Sequence, residues 1–123
     1  VRCAMKLFEG RLALISDSLR CAGMPDGDYE LGGLPIKLGG GVARLLDGTL
    51  AGSSINVGEA VRRAVSFGIP LERAIAAATG IPARAARLTD CGELAPGKRG
   101  DVVVLDGELN VKAVFVGGEK VVG

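Results

Sequence analysis

Asp17 is the residue of this sequence best placed to do chemistry. It follows Ser16 and a short continuous apolar run, Leu12-Ala13-Leu14-Ile15. An apolar run without alternation reads as a strand buried on both faces, which favours a parallel sheet under helical cover. Parallel α/β folds and barrels place their chemistry at the C-terminal ends of such strands. A carboxylate at that point can take a proton from a nucleophile and return it to a leaving group. An Asp after a strand is also a common turn former or helix cap, so position alone leaves both uses open.

Other chemistries are excluded by residue type. The chain has no histidine, so the commonest general base and the commonest metal ligand are missing together. Ser-His-Asp triads and Cys-His dyads cannot be built from these residues alone. Cys3, Cys21 and Cys91 are odd in number and lack C-x-x-C spacing. A disulfide framework is not expected, and a cytoplasmic location is.

Three loop motifs come close and fail. Gly92-Glu93-Leu94-Ala95-Pro96-Gly97-Lys98-Arg99 nearly spells a phosphate-binding loop. Arg99 stands where a Ser or Thr must reach the magnesium ion, and Pro96 lacks an N–H the cradle needs. It reads instead as a turn leading into a strand. The segment from Asp26 has Leu31 and Lys37 where a calcium loop needs Gly and Glu. Gly39-Gly40-Gly41-Val42-Ala43-Arg44 lacks the third glycine of a dinucleotide fingerprint.

The elements that must position Asp17 follow from periodicity. Val1, Ala4, Met5 and Phe8 lie on one helical face, and Gly10 stops that helix. Residues 12–16 are the buried strand. Between Gly23 and Gly48, Tyr29 and Leu31, then Leu34, Ile36 and Leu38, keep strand period. Gly39-Gly40-Gly41 permits a turn, and Val42–Leu46 returns, giving a hairpin-like excursion. Asn56 and Glu59 have capping-box spacing ahead of a helix striped by Val57, Ala60, Val61, Ala64 and Val65, with Gly68 as its stop. Pro70 opens a second helix near Leu71 that Gly80 closes, and Pro82 opens a third through about Leu88. From Cys91 the period becomes two. Strands are expected over Asp101–Leu105, Val111–Val116 and Glu119–Val122, with Gly117-Gly118 as a hairpin turn.

Length and composition set the frame. The chain has 123 residues, 48% hydrophobic and 24% charged, with 15 basic against 14 acidic side chains. That is globular composition for one domain or parts of two. A net charge of +1 gives no basic surface for nucleic acid or anionic lipid. No apolar run approaches the roughly 20 residues a bilayer span needs. The opening Val1-Arg2-Cys3-Ala4-Met5-Lys6 has no signal-peptide pattern and reads as the middle of a longer chain.

Several blocks together resemble the N-acetylglucosamine-6-phosphate deacetylase family of the amidohydrolase superfamily. They are Leu14-Ile15-Ser16-Asp17-Ser18, the stretch from Ala22-Gly23-Met24-Pro25 to Leu31-Gly32-Gly33, Asp47-Gly48-Thr49-Leu50-Ala51-Gly52-Ser53-Ser54, Glu59-Ala60-Val61-Arg62, Pro82-Ala83-Arg84-Ala85, and Gly92 to Val104. They occur in the family's order and cover nearly the whole chain. The Asp-Gly-Thr-Leu-Ala-Gly-Ser block is the specific one, and the Ala-Pro-Gly-Lys block is general to the superfamily.

The resemblance implies an α/β fold. Specifically, it implies the C-terminal third of a metal-dependent (β/α)₈ barrel with part of a small β-sandwich domain. Residues 1–90 would belong to the barrel, with Leu12–Ser16 as its eighth strand, and residues 91–123 to the small domain. By resemblance Asp17 is the catalytic aspartate, taking a proton from metal-bound water and passing it to the departing amine. Ala51, Gly52 and Ser53 are the loop that contacts the sugar phosphate. Zinc or a similar divalent metal is implied for the whole enzyme, its ligands upstream of these residues. A homodimer is implied as well, whereas the chain alone is expected to be inactive and to self-associate. The readings to separate are this deacetylase, another amidohydrolase acting on N-acyl sugars, and a non-catalytic binding or structural module.

Overall fold

A computed structural model describes residues 1–123. Four helices and seven strands follow the order α1 (Arg2–Leu7), β1 (Gly27–Leu31), β2 (Leu34–Gly39), β3 (Val42–Leu45), β4 (Leu50–Ser53), α2 (Val57–Ser66), α3 (Leu71–Ala78), α4 (Gly80–Ala85), β5 (Val102–Leu105), β6 (Val111–Val116) and β7 (Glu119–Val122). They form two compact units, Ile15–Ala60 and Val1–Leu14 with Val61–Gly123.

The Ile15–Ala60 unit is a four-stranded antiparallel meander in the order β1-β2-β3-β4. Its register sets Tyr29 opposite Ile36 and Leu38 opposite Ala43. The period of two carries these residues to one face. Ile36, Leu38 and Ala43 are buried there with Cys21, and Leu19, Tyr29, Leu45 and Ala51 pack against them. Gly40 and Gly41 join β2 to β3 with φ of +57° and +76°, the geometry of a two-residue turn that matches strand twist. Asp26 Oδ2 accepts the Gly40 N–H at 3.0 Å. The expected hairpin is therefore a sheet, because Leu50–Ser53 adds a fourth strand. Opposite Ala43 and Arg44 stand Gly52 and Leu50, so Ala51 is the extra residue of a β-bulge.

In the other unit, Met5, Val61, Ala64, Ile69, Ala74 and Ala77 form the helical core, with Leu12, Leu14 and Ile81 against it. Helix α2 has the expected cap: Asn56 Oδ1 accepts the Glu59 N–H at 2.9 Å. At its other end the Ile69 N–H reaches Ala64 O at 3.1 Å and the Gly68 N–H reaches Val65 O at 2.8 Å. This paired bonding is the Schellman closure. Helix α4 closes in the same pattern, with Leu88 N–H on Ala83 O and Arg87 N–H on Arg84 O.

Two expectations are corrected. Leu12–Ser16 forms no β-ladder. Its Leu14 N–H donates instead to Ala77 O at 2.7 Å, and Ile15 is 72% exposed. A parallel strand needs neighbours at its edges to take its backbone groups. These 123 residues provide none, so the segment turns Leu12 and Leu14 onto the helices. The third helix begins at Gly80, not Pro82. Thr79, with φ −129° and ψ −88°, separates it from α3. Pro82 is tolerated in its first turn, where an N–H has no helical partner anyway.

Strands β5, β6 and β7 form an antiparallel sheet, as the period-two reading expects. Asp101 Oδ1 accepts the Gly117 N–H at 2.8 Å and fixes the hairpin end. No helix is long and apolar enough to cross a membrane.

Candidate functional site

All four residues singled out from the sequence lie in the Ile15–Ala60 unit, and backbone bonds bring them together. The Ser53 N–H donates to Asp17 O at 3.1 Å, and the Leu19 N–H donates to Ser53 O at 2.8 Å. These two bonds make an isolated parallel bridge between Ser18 and Ser53. Strand β4 therefore has β3 on one edge and the 17–19 segment on the other. The Asp17 side chain is exposed, and its φ is +50°. Few non-glycine residues adopt that conformation, although Asp is enriched among them. Such outliers cluster at functional sites.

Ala51, Gly52 and Ser53 are each half-buried. Ala51 packs on the sheet core. Gly52 has φ +155°, and a Cβ on it would lie 2.8 Å from Leu19 Cδ2 and 2.9 Å from Leu19 Cγ. The missing side chain at Gly52 thus has a direct structural cause, the approach of Leu19. Ser53 Oγ accepts the Ile55 N–H at 3.2 Å, which leaves the hydroxyl proton available to an acceptor. Ser18, given no role from the sequence, donates its hydroxyl to Ile55 O. Sequence reasoning also missed Leu19. It is a single apolar residue between Ser18 and Arg20 in an irregular segment, and no periodicity marks it.

The motifs rejected on chemical grounds have structural employment. Lys98 Nζ donates to Thr89 O at 2.6 Å and pairs with Glu93 at 3.2 Å, so its ammonium ties a turn together. Asp26, first residue of the failed calcium loop, caps the β2–β3 turn. No three Cys, Asp or Glu side chains converge on a point that could hold a metal ion. With no histidine in the chain, the residues present do not by themselves make a metal site.

The model of the amidohydrolase family matches residues 33–121. The chain belongs to that family. Over 111 residues this amidohydrolase is 42% identical to the putative N-acetylgalactosamine-6-phosphate deacetylase of Escherichia coli strain K12, a match covering 89% of the chain and 66% of the relative. It is 34% identical over 99 residues to the N-acetylglucosamine-6-phosphate deacetylase of Lysinibacillus sphaericus, covering 80% of the chain and 26% of the relative. Among solved structures, the N-acetylglucosamine-6-phosphate deacetylase of Pasteurella multocida superposes with a TM-score of 0.94 at 26% identity, over 99% of this chain and 33% of that one. A mutant N-acetyl-D-glucosamine-6-phosphate deacetylase of Mycobacterium smegmatis, solved with N-acetyl-D-glucosamine-6-phosphate, superposes at 0.92 with 40% identity, over 99% of this chain and 34% of that one. The resemblance read from the motif blocks is borne out. The amidohydrolase chain spans about two thirds of the first relative and about a third or less of the others named.

Proposed function

We propose that this chain is part of a hydrolase that deacetylates N-acetylglucosamine 6-phosphate to glucosamine 6-phosphate and acetate, and that Asp17 moves the proton. The observation that carries the reading is the likeness, at 40% identity over 99% of the chain, to a deacetylase solved with that sugar phosphate. The reaction adds the oxygen of water to the acetyl carbonyl carbon and breaks the C–N bond. Asp17 accepts the proton the attacking water loses and delivers it to the departing nitrogen. One carboxylate can do both in turn, as base and then as acid. Its exposed position at the edge of strand β4 supports this role. The half-buried Ala51-Gly52-Ser53 stretch is proposed to contact the sugar phosphate, with small residues letting the backbone come close.

Residues 1–90 are proposed to belong to the catalytic barrel of the whole enzyme, with Leu12–Ser16 as its eighth strand, and residues 91–123 to its small β domain. The divalent metal is then held by residues outside this chain. The whole enzyme is proposed to be a cytoplasmic homodimer, with neither nucleic acid nor membrane as partner.

A second reading concerns the sugar. Two relatives with the N-acetylgalactosamine-6-phosphate name are each 42% identical to the chain, above the 34% of the Lysinibacillus N-acetylglucosamine-6-phosphate deacetylase. The epimer, N-acetylgalactosamine 6-phosphate, is therefore the other substrate to test. Acetate release by the complete protein, supplied with each 6-phosphate in turn, decides between them. Turnover of neither, by a folded and metal-loaded protein, would exclude both.

A further inference from the structure

We infer that Leu19 is a positioning residue for Asp17, locked in place by its contact with Gly52. The inference rests on the reading of Asp17 above. The φ of +50° at Asp17 is sparsely populated and persists only where the surroundings over-determine it. No hydrogen bond or ion pair of its own carboxylate does so; the side chain is exposed. What holds the residue is the segment it begins.

That segment meets β4 through a single bridge. Two backbone bonds, Ser53 N–H to Asp17 O and Leu19 N–H to Ser53 O, are the whole ladder. The Leu19 side chain adds the third attachment. It lies against Gly52, where a Cβ would stand 2.8, 2.9 and 3.2 Å from Cδ2, Cγ and Cδ1. It also packs on the core of Cys21, Ile36, Leu38 and Ala43. An apolar anchor two residues from Asp17 thus fixes where the chain leaves β4, and a Cβ at position 52 would force the Leu19 side chain to shift. Ser18, between them, adds its hydroxyl bond to Ile55 O. The geometry gives Gly52 a use besides any approach to substrate: it is the floor on which Leu19 rests.

The two uses of Gly52 differ in their kinetics. A group that only binds substrate moves KM, whereas a group that positions the proton carrier moves kcat. In the complete protein, Leu19→Ala should lower kcat by about tenfold to a hundredfold, the scale of a misplaced catalytic group, with KM within about twofold. Leu19→Met, which keeps an apolar chain that can lie on Gly52, should recover most of the loss. Gly52→Ala should also lower kcat, by pushing Leu19 away. In an Asp17→Asn background, Leu19→Ala should cause no further loss in single-turnover rate. A general loosening of the fold would lower the rate by the same factor in both backgrounds. Should Leu19→Ala melt before assay, Leu19→Val carries the same comparison.

Wild-type kcat in folded Leu19→Ala, or equal losses in both backgrounds, overturns the lock. So does a Gly52→Ala variant changed only in KM. If Asp17→Asn itself keeps near-wild-type kcat, the reading of Asp17 fails and the lock loses its object. An inactive Asp17→Asn with a fully active Leu19→Ala removes the lock alone.

Discussion

The carboxylate of Asp17 has to change its protonation state twice in each turnover of the proposed reaction. Asn keeps its shape and cannot accept the proton. In the complete protein Asp17→Asn should therefore lower kcat by about 10²–10⁴-fold, the usual worth of general acid–base catalysis, with the melting temperature nearly unchanged. A near-wild-type kcat in that variant would falsify the assignment. Asp17 was legible in the sequence as a carboxylate after an apolar run, and the motif blocks raised it above an ordinary turn residue. The left-handed backbone there was not legible, because it comes from the bridge to Ser53, a contact between positions far apart in the chain. Gly52 shows the opposite limit. Its small size was legible, whereas Leu19 as the reason for it required the fold.

At the scale of elements, local signals held where they were self-contained. The Asn56 cap, the Gly68 stop and the β6–β7 turn each need only a few neighbouring residues, and each is found. Leu50–Ser53 carries no strand signal of its own, because Ala, Gly and Ser have little β-propensity. Its place is set by β3 and the bulge at Ala51. Leu12–Ser16 fails for the reverse reason, having strand composition without neighbours.

Helix α4 offers a test of element closure. Arg87 occupies the left-handed C′ position at φ +58°, where glycine is the favoured residue. Arg87→Gly should raise stability by about 1 kcal/mol, the steric cost removed, measured by urea unfolding. No gain would mean that the Arg87 side chain offsets its own strain.

The β5–β6 turn offers a test by pH. Asp106 is held below its ordinary 3.8, chiefly by the Asn110 backbone N–H, with the Asn110 amide, Lys112 and the Glu108 N–H adding to it. A depressed carboxyl stabilises the fold above its unfolded value and loses that contribution as pH falls through the folded one. Asp106→Asn should melt below wild type near pH 6, and the gap should narrow as the pH falls below the ordinary carboxyl value of 3.8. A gap that stays constant with pH would show that the charge is irrelevant.

For the whole molecule, the amount of exposed apolar surface is the telling feature. Val103, Val121 and Val122 are 55%, 58% and 51% exposed on β5 and β7, the two outer strands of their sheet. Unpaired edges with apolar side chains template association. The 123-residue chain alone should scatter light as a dimer or larger species, and with added zinc it should show no deacetylase turnover. A compact monomer would refute the association, and measurable turnover would refute the proposal that the metal ligands lie elsewhere.

The division of the chain into units has a consequence in time. Ile15–Ala60 is one uninterrupted stretch, whereas the other unit is assembled from the segments on either side of it. Within that stretch each strand of the meander pairs with the next along the chain, so its pairings are local for a sheet and folding belongs at the fast end of the roughly millisecond-to-second range of β structures. The remaining 63 residues, Val61–Gly123, take a ribosome about 3–13 s to add at roughly 5–20 residues per second. The meander can thus be complete before Ala64, Ile69, Ala74 and Ala77 exist to receive Met5. During synthesis it acts as a preformed knot of structure that shortens the loop between Leu14 and Val61, lowering the entropy cost of the later and longer-range closure.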